Sequence, residues 1–172
     1  MGGRSGSCRT ATAAAPVAYA RQAPLCAHAQ HLAETSGPEV VAVAQDLLRW
    51  SVGNQGRITW GRGTRAGSFV PAFLQDGEDH YPFAVWSSGT VEVYFQWLAA
   101  RPAFTSDEAR QSLRARLNAI PGMSIPADAI RRRPNIPLRL FVDGESRATL
   151  LGVFDWVLTR IRERRSDLPA PD

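Results

Sequence analysis

The sequence predicts an α+β domain, an antiparallel β-meander of four to five strands packed on one face by three main helices. Three observations predict it. Residues 57–97 alternate short runs rich in β-branched and aromatic residues with Gly, Ser and Asp-Gly turns. The segments that open near residues 36, 105 and 143 repeat apolar residues at helical spacing. The helices flank the strand block instead of alternating with it, which points to helices layered on an antiparallel sheet and away from βαβ units. A chain of 172 residues with 44% hydrophobic and 21% charged residues can bury one ordinary core.

The first 34 residues differ from the rest. Met1–Arg9 is Gly, Ser and Arg, and Thr10–Ala20 is mostly Ala, with no sustained apolar period. Residues 1–34 are therefore expected to be a disordered leader, or sequence read from a start codon placed too far upstream. A single domain is expected over 35–165 and a disordered tail over 166–172.

The domain opens with a helix. Ser36-Gly37-Pro38-Glu39 has the Ser-x-x-Glu spacing of a capping box, and Val40, Val41, Ala44, Leu47 and Leu48 form an apolar face. Gly53, Asn54 and Gly56 end it. Strands follow at Arg57–Trp60 and Ser68–Leu74, joined by a glycine-arginine loop. Asp76-Gly77-Glu78-Asp79 reads as a turn with exposed acids. Phe83–Trp86 and Val91–Trp97 are joined by Ser87-Ser88-Gly89-Thr90, a hairpin connection. The last of these strands has the cleanest period of two, with Val91, Val93, Phe95 and Trp97 on one side and Glu92, Tyr94 and Gln96 on the other. Thr105-Ser106-Asp107-Glu108 is a second capping box, opening a helix whose stripe is Ala109, Leu113, Leu117 and Ile120. Ile136–Val142 reads as an edge strand, confined there by Pro134 and Pro137. Asp143-Gly144-Glu145-Ser146 opens a final helix lined by Leu150, Leu151, Phe154, Val157, Leu158 and Ile161, with Arg160, Arg162, Arg164 and Arg165 at its end.

Composition excludes several chemistries. No run of 18 apolar residues is present, so no membrane partner is expected. All 20 basic residues are Arg, which removes Schiff-base lysines and the Walker lysine. The two cysteines, Cys8 and Cys26, do not make a secreted disulfide framework, and a reducing cytoplasmic setting is expected. The formal net charge is +4.

Trp60-Gly61-Arg62-Gly63, Gly67-Ser68-Phe69-x-Pro71, Phe83-Ala84-x-Trp86 and Val91-x-Val93-x-Phe95 together resemble small bacterial domains of unknown function, some of them appended to restriction-type nucleases. The order of helix, meander and helices also resembles the YdhG-like and MmcQ/YjbR-like families over roughly Glu39 to Arg162. The resemblance implies a compact α+β fold, a bacterial origin and an accessory role near nucleic acid. It implies no catalytic residues.

The residues themselves offer several constellations. The loop Gly61–Ser68 sets glycine N–H groups beside Arg62, Arg65 and Ser68, a combination suited to a phosphate or to a plain hairpin loop. Arg110, Arg114, Arg116, Arg131, Arg132, Arg133 and Arg139 face only Asp107, Glu108 and Asp128 between Thr105 and Val142, and would form a basic surface if they converge. Tyr94, if exposed, would stack on a base. Cys26-x-His28-x-x-His31 with Cys8 supplies zinc-type ligands at non-standard spacing. Asp79 and Glu92 flank a hairpin without a nuclease lysine, and His80 has no nucleophile elbow nearby.

The expectation is a non-catalytic cytoplasmic module, without cofactor or metal, that binds nucleic acid or another polyanion through Arg62, Arg65, Ser68, Arg110, Arg114, Arg131, Arg132 and Arg133. The alternative is a protein-interaction or homodimerising domain using Trp156 or the edge at Ile136–Phe141. A hydrolase needing His80, Asp79 and Glu92 in one cleft ranks last.

Overall fold

A computed structural model describes residues 16–61 and 67–163, with side chains from residue 26 onward. Helix α1 spans Pro16–Ser36 and α2 spans Pro38–Gly53. Strands β1 (Arg57–Gly61), β2 (Ser68–Gln75), β3 (Glu78–His80), β4 (Phe83–Trp86) and β5 (Thr90–Val93) follow. A short α3 (Phe95–Leu98) and a 3-10 turn at Pro102–Phe104 lead into α4 (Asp107–Asn118). A 3-10 turn at Ala127–Arg131, strand β6 (Asn135–Pro137), another 3-10 turn at Leu138–Phe141 and α5 (Gly144–Glu163) complete the described chain. The class is α+β, as the sequence predicts.

All pairings are antiparallel in the order β1-β2-β4-β5-β6, with β3 paired to β2 beyond the main path. Register fixes the faces, because side chains alternate along each strand. Phe69↔Val85, Val85↔Val91 and Val91↔Ile136 make one rung of the inner face, and Phe83↔Val93 another. Phe83 stacks against Phe154 of α5 with centroids 4.3 Å apart, while Trp50 of α2 touches Phe73, Phe83 and Phe154. The outer face carries Ser68, Val70, Ala72, Ala84, Trp86, Thr90, Glu92 and Asn135.

Two tight turns use the backbone freedom they require. Asp76 (φ 53°) and Gly77 (φ 80°) are both left-handed, the signature of a type I′ hairpin, so the acidic turn continues into β3 as a strand. Gly89 (φ 90°) closes the three-residue β4–β5 loop as a hairpin with a left-handed third residue.

Several expectations are corrected. The leader expected over 1–34 is helical from Pro16, and Leu32 is fully buried; residues 1–15 lie outside the described residues. The Ser36 capping box does not form. Ser36 ends α1, Gly37 (φ 89°) turns the chain, and α2 starts without a side-chain cap. The second cap shifts by one residue: Ser106 Oγ accepts the Ala109 N–H at 3.1 Å, and Thr105 donates to the Pro102 carbonyl. Asp143 Oδ2 accepts the Ser146 N–H at 2.9 Å, capping α5 as expected and holding the Asp143 carboxyl below its usual range.

The strand expected over Val91–Trp97 stops at Val93. Beyond the Phe83↔Val93 pair the Tyr94 N–H turns to the Pro82 carbonyl, and the Tyr94 carbonyl takes the N–H groups of Trp97 and Leu98. The alternation past residue 93 therefore belongs to a helical turn. The edge strand expected over Ile136–Val142 is only β6, since the chain winds into a 3-10 turn directly after Pro137.

Removing the Phe154 ring should be the most damaging single truncation. Phe154→Ala is expected to cost about 3–5 kcal/mol in urea unfolding, because Phe83 and Trp50 then have no shared neighbour. Gly56→Ala should also destabilise, by roughly 1–3 kcal/mol, because an added Cβ would lie 2.7 Å from the Ser51 carbonyl oxygen and 2.9 Å from the Phe73 ring.

Candidate functional site

Among the described residues, the arginines proposed from sequence are engaged by different partners. Arg62 and Arg65 lie outside those residues. Ser68 is buried on β2, with its Oγ in the space a Cβ on Gly61 would fill. Arg110 is buried, not solvated. It donates to the carbonyls of Phe104 (2.5 Å) and Thr105 (2.7 Å) and pairs with Asp107. Arg110 thus ties the 3-10 turn before α4 to the helix. Arg114 donates to Gln111 at 2.6 Å and to the Ile125 carbonyl at 2.8 Å. Arg131 reaches Asp107 at 3.0 Å, and Arg132 pairs with Asp128. The hydrogen bond from Arg131 is the chief cause that holds the Asp107 carboxyl below its usual range.

Arg133 belongs to the outer sheet face. Glu92 is buried there, accepting the Trp86 indole N–H at 3.2 Å with Arg133 Nε at 3.7 Å. Tyr94 is also buried, so it does not stand free to stack on a base. Burial first, and then the neighbouring Glu92 carboxylate, push its phenol above the usual range. The phenol stays protonated beside Glu92, and the Arg133 guanidinium lies 5.7 Å from the Tyr94 ring centroid. A buried carboxylate requires such partners, and these are the ones it has.

His80, Asp79 and Glu92 do not converge. His80 pairs with Phe73 and shares its inner face; Asp79 pairs with Leu74 on the outer face, bound by Arg57 at 2.5 Å and Tyr81 at 3.3 Å. His28 and His31 are not arranged as metal ligands. His28 Nε2 donates to the Val85 carbonyl at 3.3 Å and His31 Nδ1 to the Ser87 carbonyl at 3.1 Å, tying α1 to the sheet. Among the described residues no three His, Cys, Asp or Glu side chains group to hold a metal. Cys8 lies outside them.

A different arginine cluster stands between α4 and α5. The Arg116 guanidinium lies 4.5 Å from the centroid of the Trp156 indole, and that of Arg160 lies 5.3 Å from it. Phe104 packs on Trp156 edge-on at 5.9 Å. Trp156 and Arg160 are four residues apart on α5, so one helix face presents both. The groove beside them, about 330 Å³, is lined by Arg116, Ala119, Thr149, Gly152 and Val153. Among the described residues neither Arg116 nor Arg160 has a carboxylate within ion-pair distance, whereas Arg110, Arg131, Arg132 and Arg133 do. The Trp156/Arg160 spacing is visible in the sequence; the approach of Arg116 is tertiary and is not.

A scan against family models and searches of curated proteins and of solved structures return no match.

Burial lowers the pKa of both His28 and His80 from 6.5, and for His80 the nearby Arg101 adds to this. Both are held neutral in the fold. Above pH 6.5 they cost nothing; as pH falls below it the unfolded chain takes up protons that the folded chain refuses, so stability declines. Urea unfolding should therefore show lower stability at about pH 5 than at about pH 7.5, above the range where the carboxylates titrate. His80→Gln, which removes a ring whose Nδ1 is buried without a hydrogen-bond partner, should lessen that dependence and leave the part due to His28.

Proposed function

We propose that this chain is a binding module for nucleic acid or a similar phosphate-bearing polyanion, engaged through Arg116 and Arg160 on the α4–α5 ridge. The observation that supports it is the pair of guanidinium groups resting on one indole with no carboxylate partner among the described residues. A guanidinium that uses its flat face on an aromatic ring keeps its in-plane N–H donors free for phosphate oxygens. The ring also holds both groups in place before binding, which lowers the entropic cost of ordering them. Cation–π contacts of this kind contribute about 0.5–1 kcal/mol each at exposed sites. Arg162 lies on the same helix, Arg164 and Arg165 follow in the sequence, and the net charge of +4 favours anionic partners. The resemblance to restriction-associated accessory domains fits the same reading.

A second reading is a protein-interaction module. Trp97 is 48% exposed and leans on Tyr81 and Tyr94, an aromatic group of the kind found at protein interfaces. The sequence-predicted patch at Ile136–Phe141 does not serve this role, since Ile136, Leu138 and Phe141 are buried.

Two double variants with equal change in charge separate the site from bulk charge. On heparin or single-stranded DNA in a salt series, Arg116→Ala/Arg160→Ala should elute at clearly lower salt, with its salt slope reduced by about 1 for each phosphate no longer neutralised. Arg131→Ala/Arg132→Ala should change much less, because those side chains already face Asp107 and Asp128. Equal shifts in both variants would reduce the effect to net charge and overturn the site; retention that ignores salt would overturn the polyanion reading itself.

A further inference from the structure

The two edges of the sheet are built differently. The β6 edge is three residues long, follows Pro134, ends in Pro137 and passes at once into a 3-10 turn. Prolines and short length are devices that keep an edge from pairing. The β1 edge has neither. Arg57-Ile58-Thr59-Trp60-Gly61 is an unbroken strand without proline, paired on one side only.

The phase of its free backbone groups follows from one hydrogen bond. The Ser87 N–H donates to the Gly67 carbonyl at 2.8 Å, so Gly67, and with it Phe69 and Pro71, turns its backbone groups toward β4. Pro71, which has no N–H, thereby stands where β1 needs no donor from it. Ser68, Val70 and Ala72 then bond to Gly61, Thr59 and Arg57. Ile58 and Trp60 are left with N–H and C=O directed out of the sheet, and among the described residues nothing bonds to them.

We infer that a second copy of this chain pairs on this edge, β1 against β1, about a two-fold axis at Thr59. The register is self-complementary. Ile58 stands opposite Trp60 of the second copy, and Trp60 opposite its Ile58, so each open N–H and C=O meets its complement. The same rung sets a β-branched side chain beside an aromatic one, a favourable cross-strand pair, and both are only half-buried in the single chain. Thr59 meets Thr59 at the axis on the outer face, a close-approaching pair that suits small hydroxyl side chains. Arg57 falls opposite Gly61, so among the described residues of the strand no like charges stand opposite each other, and Arg57 keeps its ion pair with Asp79. A one-residue slip would move Arg57 toward its like and set outer-face side chains beside inner ones. A peptide of another protein would not need this symmetry.

The experiment is sedimentation velocity of the full chain, free of nucleic acid and in high salt, from about 1 to about 200 µM. The wild type should pass from monomer toward dimer. Thr59 is exposed, so Thr59→Glu and Thr59→Lys leave the fold intact, which circular dichroism checks. Each should dimerise about fivefold more weakly or worse, since like charges then oppose each other at the axis. An equimolar mixture of the two should recover dimer, because only the mixed pair sets opposite charges across the axis. A monomeric wild type at the top of the range overturns the inference. So does a Thr59 variant that dimerises like the wild type, or a mixture that recovers nothing.

Discussion

The contact of Phe83 with Phe154, closed by Trp50, decides where everything else can be. It is the point at which β4, α2 and α5 meet, and dispersion and burial are most concentrated there. Once Phe154 faces the sheet, helical geometry sends Asp155 toward α2, where it accepts the Trp50 indole N–H at 2.8 Å. The same geometry turns Trp156 away from the sheet and toward α4. The platform on which Arg116 and Arg160 rest is thus a consequence of the core. The cluster would not survive a rotation of α5 that broke the Phe83 contact.

Charge follows a different logic from position in the sequence. Read along the chain, the arginines between Thr105 and Val142 outnumber the acids, which suggests a basic face. In three dimensions Asp107 alone takes Arg110 and Arg131, Asp128 takes Arg132, and Glu92 takes Arg133. The exposed Arg131 and Arg132 pairs add little stability, about 0–1 kcal/mol each, but they do cancel local potential. At α4–α5, by contrast, an aromatic ring instead of a carboxylate holds the guanidinium groups of Arg116 and Arg160. Arginine suits this in a way lysine would not, because only a planar cation can lie flat on an indole and still donate at its rim.

What the sequence made legible was local. The stripes Ala109-Leu113-Leu117-Ile120 and Leu150-Phe154-Val157-Leu158-Ile161 predict α4 and α5 because each helix buries one face against a single layer. The hairpins are legible through Asp76-Gly77 and Gly89, whose left-handed backbones leave a compositional mark. The misreadings have a common cause: they depend on what lies across the fold. Alternation continues through Tyr94 and Trp97, but once the Tyr94 N–H has met the Pro82 carbonyl, the Tyr94 carbonyl takes the N–H groups of Trp97 and Leu98 and the chain winds into a helical turn. Helix α1 shows no apolar period, and polar side chains do much of its docking: His28, His31 and Thr35 bond to carbonyls of Val85 and Ser87 around the buried Leu32. Arg110 looks solvated on a helical wheel. It is buried because Phe104 and Thr105 leave carbonyls that only a long donor from α4 can reach.

The outer sheet face shows why the same residue types can mean either binding or structure. Trp86, Tyr94 and Arg133 are the aromatics and cation one would choose for stacking on a nucleobase, and they sit on a sheet face with no long helix over it. Yet each is engaged around Glu92: the indole donates to it, the guanidinium approaches it, and the buried phenol lies beside it with its pKa raised by the carboxylate. A carboxylate buried on a sheet without those three would be strongly destabilising, so they are committed to it. At Trp156 the order is reversed. There the aromatic ring is the support and the cations are the free ends. The difference between the two kinds of arginine in this fold is which partner their N–H donors have already found.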